Sequence, residues 1–182
     1  MTDRMPYVPG PAHGARVHKD GAKWTLVLVR ELRHSPEKVW TALTDPEQLR
    51  EWAPFDASGN LGSTGNKAKL TTVGAPALHV TDTTVLRAEP HKVLVYNWGD
   101  QDVRWELEAI ESGTRLTLWA TIARGYIAMG AAGWHICFDV LDRLLGHDPI
   151  GRIVGPAAFA ADLPRLQAEY AQQFEADSET SA

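Results

Sequence analysis

Cysteine is almost absent from this chain: Cys137 is the only one in 182 residues, so no disulfide can form within it. A chain of this length does not depend on one, because it can bury well over half of its unfolded surface in an ordinary core. Long apolar runs are missing too. No stretch approaches the roughly 20 residues a membrane helix needs, and the N-terminus lacks the charged start and apolar segment of a secretory signal. Positive charge is scarce, with 18 Lys and Arg against 23 Asp and Glu and a formal net charge of -5. Nucleic acid and anionic membranes both require clustered basic surface, so neither is expected as a partner. A cytoplasmic location is the default these absences leave. The seven histidines show no H-x-x-x-H or H-E-x-x-H spacing, and the chain has no C-x-x-C, P-loop, G-x-S-x-G or G-x-G-x-x-G. Neither a metal nor a cofactor is expected.

What the chain does have is tryptophan, seven in all, more than a core of this size requires. The most informative stretch is His34 to Phe55, HSPEKVWTALTDPEQLREWAPF. Ser35 followed by Pro36 is the grammar of a helix start: a side-chain oxygen for orphan amides, then a residue that needs no donor. Asp45-Pro46-Glu47 repeats it, with Glu47 suited to the positive end of the helix dipole. Two short helices are therefore expected over 35–52, burying Val39, Trp40, Leu43, Leu49 and Trp52. Neither is long enough to stand alone.

Residues 1–23 carry Pro6, Pro9, Gly10, Pro11, Gly14 and Gly21, and read as a flexible N-terminal arm. A β-rich run, WTLVLVREL, follows from Trp24. Residues 56–66 are turn chemistry. Further strands are expected at 67–73, 79–88, 92–98, 103–110 and 114–122. In the fourth of these, Val103, Trp105, Leu107 and Ala109 alternate with Arg104, Glu106 and Glu108, the mark of a half-buried antiparallel strand. In the fifth, Leu116, Leu118 and Ala120 share a face. There is no βαβ rhythm, which argues against a nucleotide-binding parallel sheet.

After a Gly/Ala-rich bend at 125–133 comes WHICFDVLDRLLG, the strongest helical pattern in the chain. Trp134, Phe138, Leu141 and Leu145 form its apolar stripe, flanked by Cys137, Val140 and Leu144, an arc wide enough to require cover on more than one side. His135, Asp139, Asp142 and Arg143 gather opposite. His135 and Asp139 are four apart and able to touch, as an acid–base pair would. With two more charges on the same arc, a surface pair is the simpler reading. Cys137, flanking the stripe, reads as a small hydrophobe with no cation placed to activate it. A last amphipathic helix is expected from 158 to 175, restarting near Asp162-Pro164, with Leu163, Leu166, Tyr170 and Phe174 on one face. Residues 176–182 are polar and read as a disordered tail, leaving 24–175 as a single domain.

Four pieces in this order resemble a known family: S-P-E-K-V-W-x-A-L-T-D-P-E-x-L-x-x-W at 35–52, V-x-W-x-L at 103–107, G-T-R-L-T-L at 113–118 and G-W-x-x-x-x-D-x-L at 133–141. They look like the homologues of the activator of heat-shock protein 90 ATPase, within the START-like or SRPBCC superfamily, over roughly residues 24–146. The resemblance implies an α+β helix-grip fold, a curved antiparallel sheet wrapped around the long C-terminal helix, here with an extra helix beyond it. It also implies a cavity between sheet and helix. The residues placed to line that cavity are Trp52, Phe55, Trp105, Leu107, Leu118, Trp134, Cys137, Phe138 and Leu141, with His135 as a polar anchor. An apolar or aromatic small molecule is the partner expected there, although the same tryptophans could fill the space as solid core. Two other readings stay open. One is an interaction protein resembling a chaperone cofactor, but the eukaryotic activators carry a separate N-terminal domain that residues 1–23 cannot supply. The other is an enzyme of the polyketide cyclase or dehydratase type, using His135 or a pocket carboxylate, although no catalytic constellation stands out. The extra C-terminal helix could close the cavity or support a homodimer.

Overall fold

The computed structural model describes residues 6–180, with side chains as far as Ala176. Residues 1–5 of the expected arm and 181–182 of the expected tail lie outside the described residues. The order is β1 (Ala15–Asp20), β2 (Lys23–Leu32), α1 (Pro36–Thr44), α2 (Pro46–Trp52), β3 (Phe55–Ala57), β4 (Lys67–Thr72) and β5 (Val80–Thr84). It continues with β6 (Arg87–Glu89), β7 (Val93–Trp98), β8 (Gln101–Ile110), β9 (Gly113–Thr121), α3 (Ile127–Leu145), α4 (Pro156–Ala160) and α5 (Leu163–Thr180). A six-stranded antiparallel sheet, β1-β2-β9-β8-β7-β6, curves over α3, and a three-stranded sheet, β3-β4-β5, stands beside it. This is the expected helix-grip arrangement, with α5 laid on the far side of α3.

The helix starts behave as their sequences require. Ser35 caps α1 by accepting from the Lys38 amide at 3.3 Å, and Asp45 caps α2 by accepting from the Glu47 amide at 3.0 Å. Trp52 then ties the two helices together, its indole N–H donating to the Ala42 carbonyl at 2.9 Å. The alternation in β8 also holds: Val103, Trp105 and Leu107 are buried and pair across to Ala120, Leu118 and Leu116 of β9. Ala109 is exposed, so the buried face ends one residue pair earlier than the pattern suggests.

Four expectations need correction. Residues 15–20 do not belong to a flexible arm but form β1, paired along its length with β2, with Val17 opposite Leu26. Asp20-Gly21 is a hairpin signal, and Gly21 at φ 60° supplies the left-handed turn the strand connection needs. Upstream, the Ala12 amide donates to Glu169 and the Pro9 carbonyl accepts from Arg165, so this segment is pinned onto α5. The single strand expected over 79–88 is two, because the chain changes sheets at Val85-Leu86. The long helix begins at Ile127, not at Trp134. Gly130 and Gly133 are poor helix formers, but the close packing of Ala131 and Ala132, both fully buried, outweighs that local preference. Helix α5 runs on to Thr180, into the stretch expected to be a disordered tail.

Candidate functional site

The space between the sheet and α3 is filled. Trp52, Phe55, Trp105 and Phe138 are fully buried, as are Leu118 and Leu141, and Leu107 is nearly so. Their rings interlock at the edge-to-face and tilted angles that aromatic quadrupoles favour. Trp52 meets Trp105 at 6.0 Å between centroids, Trp105 meets Trp134 at 5.5 Å, and Trp105 meets Phe138 at 5.9 Å. The indole N–H of Trp105 donates to the Tyr96 hydroxyl at 3.1 Å, which satisfies the polar edge of that ring inside the core. Seven residues expected to line a cavity (Trp52, Phe55, Trp105, Leu107, Leu118, Phe138 and Leu141) are thus packed against their neighbours.

The open space lies at one end of this core. A cleft of about 320 Å³ is bounded by the β4–β5 connection, the ends of β7 and β8, the first turns of α3 and the segment leading into α4. Of the expected residues, Trp134 and Cys137 line it. Trp98 lines it beside Trp134, its ring edge-to-face with that of Trp134 at 6.1 Å and its N–H held by the Thr72 hydroxyl at 3.3 Å. Ile122, Ile153, Val154 and Leu163 complete an apolar lining that contains no Asp, Glu, Lys or Arg. Burial pushes the Cys137 thiol up to about 12, against a smaller opposing pull from Arg152, so no thiolate is available as a nucleophile.

One wall of the cleft depends on two glycines. Gly74 and Gly155 both have positive φ, and their backbones cross so closely that a Cβ on Gly74 would lie 2.8 Å from the Gly155 nitrogen. Nothing but glycine fits either position. Larger hollows occur elsewhere, such as one of about 510 Å³ beside Lys67, Lys69 and Asp82, but their walls are solvated charges that a ligand would have to strip of water.

His135 faces away from the cleft. The first part of the polar arc of α3, expected at the surface, is covered by α5 and by residues 7–13, leaving His135 only 1% exposed, while Asp142 and Arg143 remain exposed as expected. Its Nδ1 is 2.6 Å from the Tyr170 hydroxyl, which donates in turn to the His13 carbonyl at 3.2 Å. Its Nε2 approaches Asp139 at 3.5 Å. Asp139 also receives Arg30 at 2.5 Å and the Tyr7 hydroxyl. Burial alone would raise the Asp139 carboxyl, but the bonds from His135 and Tyr7, with the Arg30 charge, outweigh it and hold the group at about 2. The same burial, and the bond to Asp139, keep the Tyr7 phenol protonated far above its ordinary range. Burial also lowers the His13 imidazole, helped by the nearby Arg30 charge. This is a buried ionic cluster that fastens α3 to β2, α5 and the N-terminal segment. It cannot serve as the polar anchor of the cleft.

Sequence reasoning did not find Trp98, Thr72, Gly74 or the 153–158 segment. Trp98 and Thr72 end their strands, and Gly74 and residues 153–155 sit in connections with no periodicity to mark them. Among the described residues no group of three or more His, Cys, Asp or Glu is placed to hold a metal, and no helix is long and apolar enough to cross a membrane.

The curved antiparallel sheet gripping a long helix places this protein among the START-like folds. Residues 33–146, more than half of the chain, match the family described as Activator of Hsp90 ATPase homolog 1-like protein, and the chain belongs to that family. Solved structures agree on the fold. A conserved protein of unknown function from Enterococcus faecalis superposes with a TM-score of 0.66 at 16% identity, over 87% of this chain and 89% of that one. CalU16 from Micromonospora echinospora gives 0.62 at 19% identity, over 89% and 94%. A protein from Mesorhizobium loti gives 0.58 at 27% identity, over 69% and 99%. Comparison with curated proteins gave no match.

Proposed function

We propose that this protein binds a neutral, largely apolar small molecule in the cleft lined by Trp98 and Trp134, as a carrier or sensor. The observation that carries this reading is the charge-free lining of a 320 Å³ cleft, at the lower end of the volume range of small-molecule sites. The exposed parts of the two indoles, with Ile122, Ile153, Val154 and Leu163, would supply contact area. The Gln101 side chain, on the same lining, is the main group able to orient a ligand by hydrogen bonding. Affinity from apolar area with so little polar anchoring falls in the micromolar range, about -8 kcal/mol.

The enzyme reading draws no support from this cleft, because its polar groups are a hydroxyl, an amide and a protonated thiol. The test uses apolar fluorescent probes, titrated against the intrinsic tryptophan emission. A saturable change at one site per chain is expected. Gly133 lines the cleft with open space beyond its Cα, so Gly133→Leu should fill the volume and abolish the change while the fold persists. Probe binding that survives this substitution would place the ligand elsewhere.

A further inference from the structure

The cleft opens through a collar of unusual composition. Residues 73–81, 125–138 and 153–161 contain no Asp, Glu, Lys or Arg, in a chain where charged residues make up 23%. Each of these segments contributes to the cleft lining, through Gly74 and Ala75, through Gly130 and Gly133, and through Val154 and Ala158. Each also exposes a large apolar side chain: Leu78 at 80%, Met129 at 42% and Phe159 at 60%. Most of the large hydrophobic side chains exposed on the described surface therefore belong to the segments around one opening.

We infer that this collar is the self-association surface of the protein, and that its occupant is a second copy of the same chain. Charge supplies the first argument. The chain carries a net -5, and its other faces bear ionised groups, such as Arg115 with Glu31 and Glu108, Arg104 with Glu106, and Lys69 with Asp82. An isologous contact brings the same patch to itself, so a charged patch meets like charge unless each group finds a partner. A patch with no charge is complementary to itself. Area supplies the second argument. Three side chains this exposed present on the order of 350 Å² per chain, and the surrounding Ala, Gly and Pro residues extend this toward the roughly 800 Å² per partner of a standard interface. Two collars face to face would also seal both clefts from water. The inference holds whether or not the cleft carries a ligand.

Sedimentation of the full chain over a wide concentration range tests it. The mass should rise toward twice that of one chain in the micromolar range. The double variant Phe159→Glu, Leu78→Glu should remain a monomer with an unchanged thermal transition, since both side chains are exposed. Should that variant fold poorly, Met129→Lys on a separate segment must give the same loss of association. A wild-type chain that stays monomeric throughout overturns the inference. So does a dimer that persists in the charged variants, or a monomer that instead co-floats with zwitterionic lipid vesicles through the same residues.

Discussion

The two sides of α3 are both packed against other elements and are chemically opposite. Toward the sheet, Trp134, Phe138 and Leu141 sit among Trp52 and Trp105, held by dispersion and ring-edge contacts. Toward α5, His135 and Asp139 sit among Arg30, Tyr7 and Tyr170, held by directional and charge-assisted bonds. An apolar face tolerates small shifts and loses energy in proportion to the volume removed. An ionic face depends on every partner being present, because a buried charge left alone is penalised by its own desolvation. Arg30 shows how fine that balance is: its Nε and one terminal nitrogen are buried without hydrogen-bond partners among the described residues. Its guanidinium instead lies over the Phe138 ring at 5.8 Å, so the two faces meet at this residue.

Substitutions on either side should break this comparison in different ways. The largest effect is expected for Phe138→Ala, about 3–5 kcal/mol of unfolding free energy, read by chemical denaturation, because the interlocked rings cannot collapse into the space left. An unchanged midpoint would show that the aromatic face is loosely packed. Next comes Asp139→Ala, at about 3 kcal/mol, the low end for breaking a buried pair because Asp139 retains 22% side-chain exposure. The diagnostic is the double substitution Arg30→Met, Asp139→Leu, which should recover most of that loss. Additive losses would mean the charges act separately.

A smaller effect is expected on acidification. The Asp139 carboxyl is held at about 2 in the folded chain, against an ordinary 3.8, so the folded state binds its proton more weakly than the unfolded state does. The resulting stability is fully present above about pH 4 and is lost as the pH falls toward 2, about 2 kcal/mol in all. Wild type and Asp139→Asn should therefore differ in stability near neutrality and converge in acid. A constant difference across that window would remove the cluster from the acid response. The last expected effect is on binding at the cleft. Trp98→Ala should weaken probe binding about tenfold, while Trp24→Ala leaves it unchanged, because Trp24 lies outside the cleft lining.

The comparison also explains what could be read in advance. Periodicity reports burial through hydrophobicity, so the stripe of Trp134, Phe138, Leu141 and Leu145 was legible, as were the caps at Ser35 and Asp45 and the alternation of β8. Those signals are local, and together with the ordered motifs they determined the fold class and the family. Burial of polar residues leaves no such trace. His135 and Asp139 on a helical wheel look like surface, and only the placement of α5 and of residues 7–13 covered those two. The cleft was illegible for a related reason. Whether a set of inward tryptophans encloses a void depends on how their rings interlock, which three-dimensional packing decides to within an ångström. The volume that remained open was set by connections, Gly74 crossing Gly155 in the cleft wall. Local chemistry chose the elements of this protein, and the meeting of segments distant in sequence chose where it is solid and where it is open.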